Sequence, residues 1–577
     1  MSLGSLVLAA PGDLDVSWGE GGTVTTELVP RATHLYSAWT DLIVQSDSKI
    51  VVAGVLVEKV ESSVIPCVVA ARYLPGGQLD SGFGVGGVVK GLGMLRPQNN
   101  TLVKLAIQSD GKLLLTLTDL VSASTTRIVV VGLLSNGSPD NNFGDDGIAV
   151  LPSFPPSDPS YHVPVGVHQL PAGEIVGAVR YFSIPSLHFV RQFRMDSAGQ
   201  MISFGVTVPV SATLGYQAFQ GGNLLVDANQ GMTMVTTALW NSTTGFAIAS
   251  FLSDGTPKPG FGTNGITLSQ IGVQDSSSLG SASTCIGLAS DSLDRWIVVG
   301  EGTEVATSPR RLILARYLAN GTLDMSFDGD GVLYDSGPSI LGGTPYDVIC
   351  DDSDRIVVCG QIWTGSGTRF ALLRFLGSGV PDDSFGMSGV GAPVPPLART
   401  ANAITVDAEG RILVAGDTID GPIIARYWAG DGTEPLARFG EWAADNGLSG
   451  DGATMTGIPF SDGVANLLKY AFNMNGSGPD LTLMTPGSGL SGLPSTGRET
   501  LGASDVLRFE FVRRLNSGLT YSPLVSTSLD SVSWTNITAV PVVQPIDAEW
   551  ERVSYEHPFD GATTSSLVGK IEVQLSP

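Results

Sequence analysis

Apolar runs of strand length recur along most of this chain, each closed by a turn rich in Gly, Asp or Asn. Runs such as KIVVAG, KLLLTL, RWIVVG and RILVAG carry the β-branched and aliphatic residues that strands favour. A Gly-rich motif repeats as GDLDVSWGEGG, GQLDSGFGVGG, GSPDNNFGDDG, GTPKPGFGTNG, GTLDMSFDGDG and GVPDDSFGMSG, with two worn copies, GQMISFG and GTEPLARFG. Its aromatic falls at Trp18, Phe83, Phe143, Phe204, Phe261, Phe327, Phe385 and Phe439, a period of about 60 residues. Between successive markers lies one hairpin signal, from QSDSKIVVAG to DAEGRILVAG, and one closing strand of the type ARYL. Eight markers enclose seven units, and each of the other two motifs also occurs seven times.

A unit reads as four strands. A short one follows the Gly-rich motif (GGVV, GIAV, GVLY), and a second leads into the tight turn (LAIQ, DVIC, AITV). A third leaves the turn, and ARYL is the fourth. Turns such as SDGK and AEGR place Gly or Asp where a hairpin needs positive φ. One such unit cannot bury both faces alone. Seven of them closing on one another make a propeller, with short protected edges and the marker aromatics as wedges between neighbours. An open solenoid would need distinct polar caps at its two ends, and no clear pair is present. The expected fold is therefore all-β: a seven-bladed β-propeller of four-stranded blades over residues 12–440, then a short helix and a small C-terminal β-sandwich. The combination LDxSFGxxG, QSDGKIVVAG and ARYL at this period resembles the bacterial delta-60 repeat family, whose repeats are predicted to build a seven-bladed propeller. The resemblance spans about Gly12 to Gly440 and departs at the shortened fourth motif and at the last marker, which loses its Asp.

Strand alternation places the hairpin turn and the Gly-rich link on one face, and the two remaining loops of each unit on the other. The first set repeats and the second differs in every unit. Asp80, Asp140, Asp324 and Asp382 recur because a carboxylate can cap its own turn. Divergent loops on a rigid scaffold are where recognition usually sits. That face carries Tyr36, Trp39, Tyr161, Tyr181, Trp240 and Trp363 among Asn, Ser and Thr, a set that suits sugar rings or peptide side chains.

After Gly440 the period ends. Residues 441–505 read as a linker containing one helix near 462–473, with Ser461 or Asp462 as N-cap and Val464, Leu467, Leu468 and Ala471 on its apolar face. Alternation returns in VLRFEFVRR, LTYSPLVSTSL, ERVSYE and VGKIEVQL, enough for a small β-sandwich over 506–577. This segment is similar to C-terminal modules of exported bacterial surface proteins, in which the helix follows a calcium loop of the form DPDGDGxxNLLEYAF. PFSDGVANLLKYAF keeps Asp462, Gly463 and Asn466 but lacks the other carboxylates. Residues 1–11 read either as a remnant of an export signal or as ordinary N-terminal coil.

Composition narrows the function. The net charge of −24, from 31 Lys+Arg against 55 Asp+Glu, with no basic run, excludes nucleic acid as a partner. With 42 % hydrophobic residues, only 15 % charged residues and 73 Gly, the chain is neither disordered nor a helical bundle. No apolar stretch is long enough for a membrane-spanning helix. The four Cys form no framework. A turn at Ser353-Asp354 would set Cys350 opposite Val357, leaving Cys359 a diagonal away and too far for a bridge. GxSxG, HExxH, Walker and dinucleotide signatures are absent. His162 and His168 sit near a Pro-rich loop as a candidate metal pair. Asp328, Asp330 and Asp462 are calcium candidates; otherwise no cofactor is expected. The reading at this point is an exported, secreted or cell-surface monomer: a non-catalytic binding or scaffold protein that recognises a glycan or protein through the divergent face. The alternative is a propeller glycoside hydrolase or lyase with an acidic site at the central channel mouth. A catalyst should gather unrepeated Asp, Glu, His or Arg in one pocket, whereas a binder should expose an aromatic patch.

Overall fold

A computed structural model of the chain describes residues 11–61, 63–92, 102–122, 125–152, 161–183, 187–209, 223–240, 243–271, 284–302, 311–334, 343–364, 367–386, 389–391, 398–430, 439, 442–501, 504–515, 519–526, 534–537, 539–547, 549–559 and 568–575. Two units are distinguished. One is Thr23–Tyr427; the other joins Met1–Gly22 to Trp428–Pro577.

The larger unit is all β. Among the described residues it contains seven antiparallel sheets, numbered I to VII here by their first strands: His34–Val44, Lys104–Ile107, Tyr161–Gln169, Asn223–Val226, Thr284–Ser290, Gly343–Cys350 and Ala398–Val406. Each first strand packs beside the next in order, and that of sheet VII packs back on that of sheet I. The arrangement is consistent with a β-propeller.

The short strand after each Gly-rich motif sits elsewhere than expected. It does not open its own unit: Val88–Lys90 pairs with Ser63–Tyr73 and becomes the outermost strand of sheet I. The motif folds the chain back on itself, since the Asp80 N–H donates to the Arg72 carbonyl (2.8 Å) and the Arg72 N–H to the Gly87 carbonyl (3.0 Å). Sheet VII takes its outer strand from the start of the unit, where Thr23–Thr25 pairs with Pro422–Tyr427. Among the described residues sheet VI has three strands, and a bridge joins Val390 to Leu373 at its outer edge.

Most marker aromatics wedge between sheets. Phe83, Phe143, Phe261, Phe327 and Phe385 are buried. The Phe83 ring lies so close to Gly137 of sheet II (φ +83°) that a Cβ there would come within 3.0 Å of it. Phe327 meets Gly379 of sheet VI in the same way. Only glycine supplies both the left-handed backbone and the missing side chain at these positions. The N–H of Gly84 reaches the Asn136 carbonyl (2.8 Å) and ties the two sheets beside the wedge. Val51, Val55 and Val68 of sheet I then share one core with Leu105, Leu115 and Val131 of sheet II.

Two markers do not wedge. Phe204 sits mid-strand in Met201–Pro209, opposite Phe193 and 4.2 Å beneath the Arg191 guanidinium. Its shortened motif lacks the Asp turn, so the chain runs straight on as a strand. Phe439 belongs to the smaller unit and packs 5.6 Å from both Trp442 and Tyr470.

The smaller unit has two sheets. Ser495–Leu501, Ser504–Arg514, Trp550–Phe559 and Val542–Pro545 form one, and Thr535–Asn536, Leu519–Ser526 and Val568–Leu575 the other. Phe472, Phe511 and Val573 lie in their shared core. The helix is shorter than 462–473. It spans Asn466–Ala471, with Ala465 at the N-cap and no capping side chain. Ser461 has φ +54°, outside the extended backbone an N-cap needs. Asp462 is drawn into a buried ion pair with Lys469 Nζ (2.6 Å) instead.

The cysteine register also differs by one. Cys350 faces Ile356 and Cys359 faces Asp347, because Asp354 enters the turn at φ +57°. Cys350 and Cys359 therefore fall on opposite faces of sheet VI, and Cys67, Cys350 and Cys359 are free thiols.

Candidate active site

Every sheet of the larger unit opens its first hairpin turn at an equivalent residue: Gln45, Gln108, Leu170, Asp227, Asp291, Asp351 or Asp407. The backbone N–H of each bonds the carbonyl four residues ahead. Four positions before that residue, on the first strands, stand Asp41, Lys104, Gly166, Asn223, Gly287, Asp347 and Ala403. Their partners on the second strands, Ala53, Thr116, Ala178, Val235, Val299, Cys359 and Ala415, confirm that the positions are equivalent. The turns repeat in sequence and this ring does not. Four of its members are polar and three are small.

The polar members face a cavity of about 400 Å³ lined by the first strands of sheets I, II, III, IV, VI and VII. That size lies within the range of ligand sites, about 300–1,000 Å³. Asp41 joins two sheets and Asp347 three. Asp41 accepts the Leu42 N–H at Oδ1 (3.0 Å) and the N–H of Leu105, in sheet II, at Oδ2 (2.8 Å). Asp347 accepts the Val348 N–H (3.0 Å) and the Asn223 amide (3.2 Å) at Oδ1, and the N–H of Ile404, in sheet VII, at Oδ2 (3.3 Å). Lys104 makes no ion pair among the described residues, yet its charge acts on both carboxyls.

The electrostatics favour acid–base chemistry. Burial pushes the Asp347 carboxyl up to about 6; Lys104 opposes the shift, the Asp41 charge adds to it, and the backbone N–H groups oppose it. Burial also raises Asp41, against Lys104 and the two N–H bonds. His168 lines the cavity, and desolvation lowers its imidazole. A carboxyl raised to about 6, facing the same cavity as a second carboxyl, is the kind of pairing that general acid–base catalysis uses.

Of the aromatic candidates, Tyr36 is half-buried, toward the start of the strand that carries Asp41. Burial, then the charges of Asp417 and Tyr346, push its phenol up, against Arg399. Asp417 is buried and accepts the Thr400 hydroxyl. Trp39 is 0 % exposed and offers no stacking face, and its carbonyl accepts the Asn402 amide (2.9 Å). The side chains of Tyr161, Tyr181, Trp240 and Trp363 lie outside the described residues. His162 is buried, with Nδ1 3.2 Å from the Thr126 hydroxyl, while His168 faces the cavity.

The calcium candidates are engaged locally. Asp330 Oδ1 accepts the Val332 N–H (2.9 Å), Asp328 sits in the left-handed region (φ 49°), and Asp462 is held by Lys469. Among the described residues no three His, Cys, Asp or Glu gather as a metal site. Asp41, Lys104, Asn223 and Asp347 were missed in the sequence. Alignment of the units on their turns, read four positions back, would have found them.

The fold defines a propeller-like β protein. Four segments, residues 45–83, 108–143, 294–327 and 353–385, match the family model described as a β-propeller domain of unknown function, DUF5122. No curated protein matches the chain in sequence. Similar solved structures include the polysaccharide lyase Uly1, at 11 % identity and TM-score 0.42, covering 74 % of this chain and 98 % of that one. The α-L-arabinofuranosidase Arb93A of Fusarium graminearum is similar at 10 % identity and TM-score 0.37, with 70 % and 96 % covered. An α-L-arabinanase of Penicillium chrysogenum gives 12 % identity and TM-score 0.38, with 59 % and 97 % covered. The expectation of a non-catalytic binder is corrected by the site. The physical reason lies in the chain itself: unrepeated carboxyls meet in one cavity, and Trp39 is buried where a binding platform was expected.

Proposed function

We propose that this chain is a propeller enzyme cleaving glycosidic bonds, a glycoside hydrolase or lyase, with its site in the central channel of seven blades. The cyclic packing of the first strands, with Thr23–Thr25 completing sheet VII, supports the closed seven-membered ring. One observation carries the activity: Asp41 and Asp347 occupy equivalent positions of sheets I and VI, face one cavity and hold raised carboxyls. In hydrolysis Asp347 would give its proton to the departing glycosidic oxygen. Asp41 would take a proton from the water whose oxygen attacks the anomeric carbon, and Lys104 would keep Asp41 ionised. Glycoside cleavage suits the site because an acid and a carboxylate suffice for it. We also propose that the protein is exported; among the described residues no helix is long and apolar enough to cross a membrane.

The test is incubation of the full chain with neutral and uronate-bearing polysaccharides. New reducing ends, or the ultraviolet absorbance of an unsaturated uronate, would report cleavage. The reading predicts turnover on at least one glycan and its loss in Asp347→Asn and Asp41→Asn. Turnover that survives both substitutions would overturn the site, and silence of the wild type on every glycan would overturn the class.

A further inference from the structure

The amide of Asn223 crosses from sheet IV to sheet VI, and its orientation is fixed. The Leu224 N–H donates to Asn223 Oδ1 (2.8 Å), so the NH₂ group is the end that meets Asp347. Asp347 Oδ1 then receives two donors, Val348 N–H at 3.0 Å and Asn223 Nδ2 at 3.2 Å. Oδ2 receives a single long one, from Ile404 at 3.3 Å. A proton added to Oδ1 would face two hydrogens already aimed at that oxygen. Oδ2 keeps a lone pair free.

Sheet V, which stands between, contributes Gly287 to the ring. A Cβ there would come 2.8 Å from Val299 Cγ1 and 3.3 Å from the nitrogen of Val348, whose N–H bonds Asp347. The small residue thus keeps the acid's backbone partner in place. The other titratable or charged groups of the cluster are Asp41 of sheet I, Lys104 of sheet II, His168 of sheet III and Cys359, opposite Asp347 in sheet VI.

We infer that Asn223 is a positioning residue for Asp347: by donating its amide to Oδ1 it makes Oδ2 the oxygen that carries the transferable proton. This rests on the acid role proposed for Asp347, but its test does not need turnover. The full chain, labelled at Asp ¹³Cγ and at the Asn side-chain amide, would be titrated by NMR. In the wild type the Asn223 amide resonances should move with the same midpoint as the Asp347 carboxyl.

In Asn223→Ala the carboxylate loses a donor, and the Asp347 midpoint should rise by about one unit; in Asn223→Asp it should rise further. Asn223→Ala should also lower kcat more than it raises KM and move the pH–rate profile toward alkali. Asn223 resonances that stay flat through the Asp347 titration would overturn the inference, and they require no variant to fold. An unmoved Asp347 midpoint in Asn223→Ala would overturn it equally. Silence on every glycan with a shifted midpoint would sink the enzyme reading and leave standing only the influence of the Asn223 amide on the Asp347 carboxyl.

Discussion

Two sets of aspartates occupy the larger unit, and their surroundings drive them in opposite directions. Asp80, Asp324 and Asp382 recur in the Gly-rich links, and each accepts the Nε–H of an ARYL-type arginine at 2.8 Å: Arg72, Arg316 and Arg374. Burial pushes Asp382 up, but the Ser384 hydroxyl, the Arg374 charge and the Ser384 N–H outweigh it and hold the carboxyl below its ordinary value. Asp324 is lowered by the matching set from Ser326 and Arg316. Among the described residues no arginine acts on Asp41 or Asp347, and burial wins. A carboxylate that repeats has been given the partners that make it structural. One that stands alone in its ring position has been left with a proton to exchange.

The largest effect should separate the two sets by function. Asp347→Asn or Asp41→Asn should cut kcat/KM by about 10³-fold, within the span attributed to a positioned acid or base. Asp80→Asn should leave kcat/KM within a few fold while lowering the melting temperature. Steady-state kinetics on the folded variants decide it, and equal losses at Asp80 and Asp347 would erase the distinction.

Next in size is the wedge. Phe327→Ala should cost about 3–5 kcal/mol, since the ring is fully buried and the backbone around Gly379 cannot collapse into the space. Phe204→Ala should cost much less, because that ring is half-buried on a strand. Urea denaturation monitored by tryptophan fluorescence gives both values, and equal costs would mean that the fourth marker wedges after all.

This contrast shows what the sequence held and what it did not. The period, the turn residues and the buried markers were legible because turn geometry and wedge packing impose the same residue types in unit after unit. The short strand was assigned to the wrong sheet. Chain order places it after the motif, but pairing is settled by the fold-back of Asp80 on Arg72, a contact between neighbours in space. The ring at Asp41, Lys104, Asn223 and Asp347 escaped because it is conspicuous only as variation at a fixed offset. Trp39 was misjudged for a related reason: its place in the sequence said divergent, and its neighbours buried it.

Stability should depend on pH with opposite signs in the two sets. For Asp80, Asp324 and Asp382 the folded carboxyl lies below its unfolded value. Their contribution is present above about pH 4 and is lost as pH falls through the folded value. For Asp347, raised to about 6, the native state binds the extra proton, so its contribution falls as pH rises from about 4 to 6. The full loss is on the order of 2–3 kcal/mol. The stability of Asp347→Asn relative to the wild type should therefore improve across that window and then level off. Denaturation series from pH 4 to 7 would show it, and a flat difference would mean that Asp347 titrates normally.

The smallest effect concerns Lys104, which separates the roles of the two acids. Its charge opposes burial at both Asp41 and Asp347. Lys104→Met should therefore raise both midpoints, by about one unit or less. The consequence for rate is not symmetrical. A higher midpoint at Asp347 keeps the acid protonated to higher pH and moves the alkaline limb of the pH–rate profile up. A higher midpoint at Asp41 protonates the base at a pH where it had been ionised and moves the acidic limb up as well. The profile should thus slide toward alkali with little change in width, and Lys104→Arg should return it. A profile that only narrows would show that Lys104 serves Asp41 alone, and one that only broadens would show that it serves Asp347 alone.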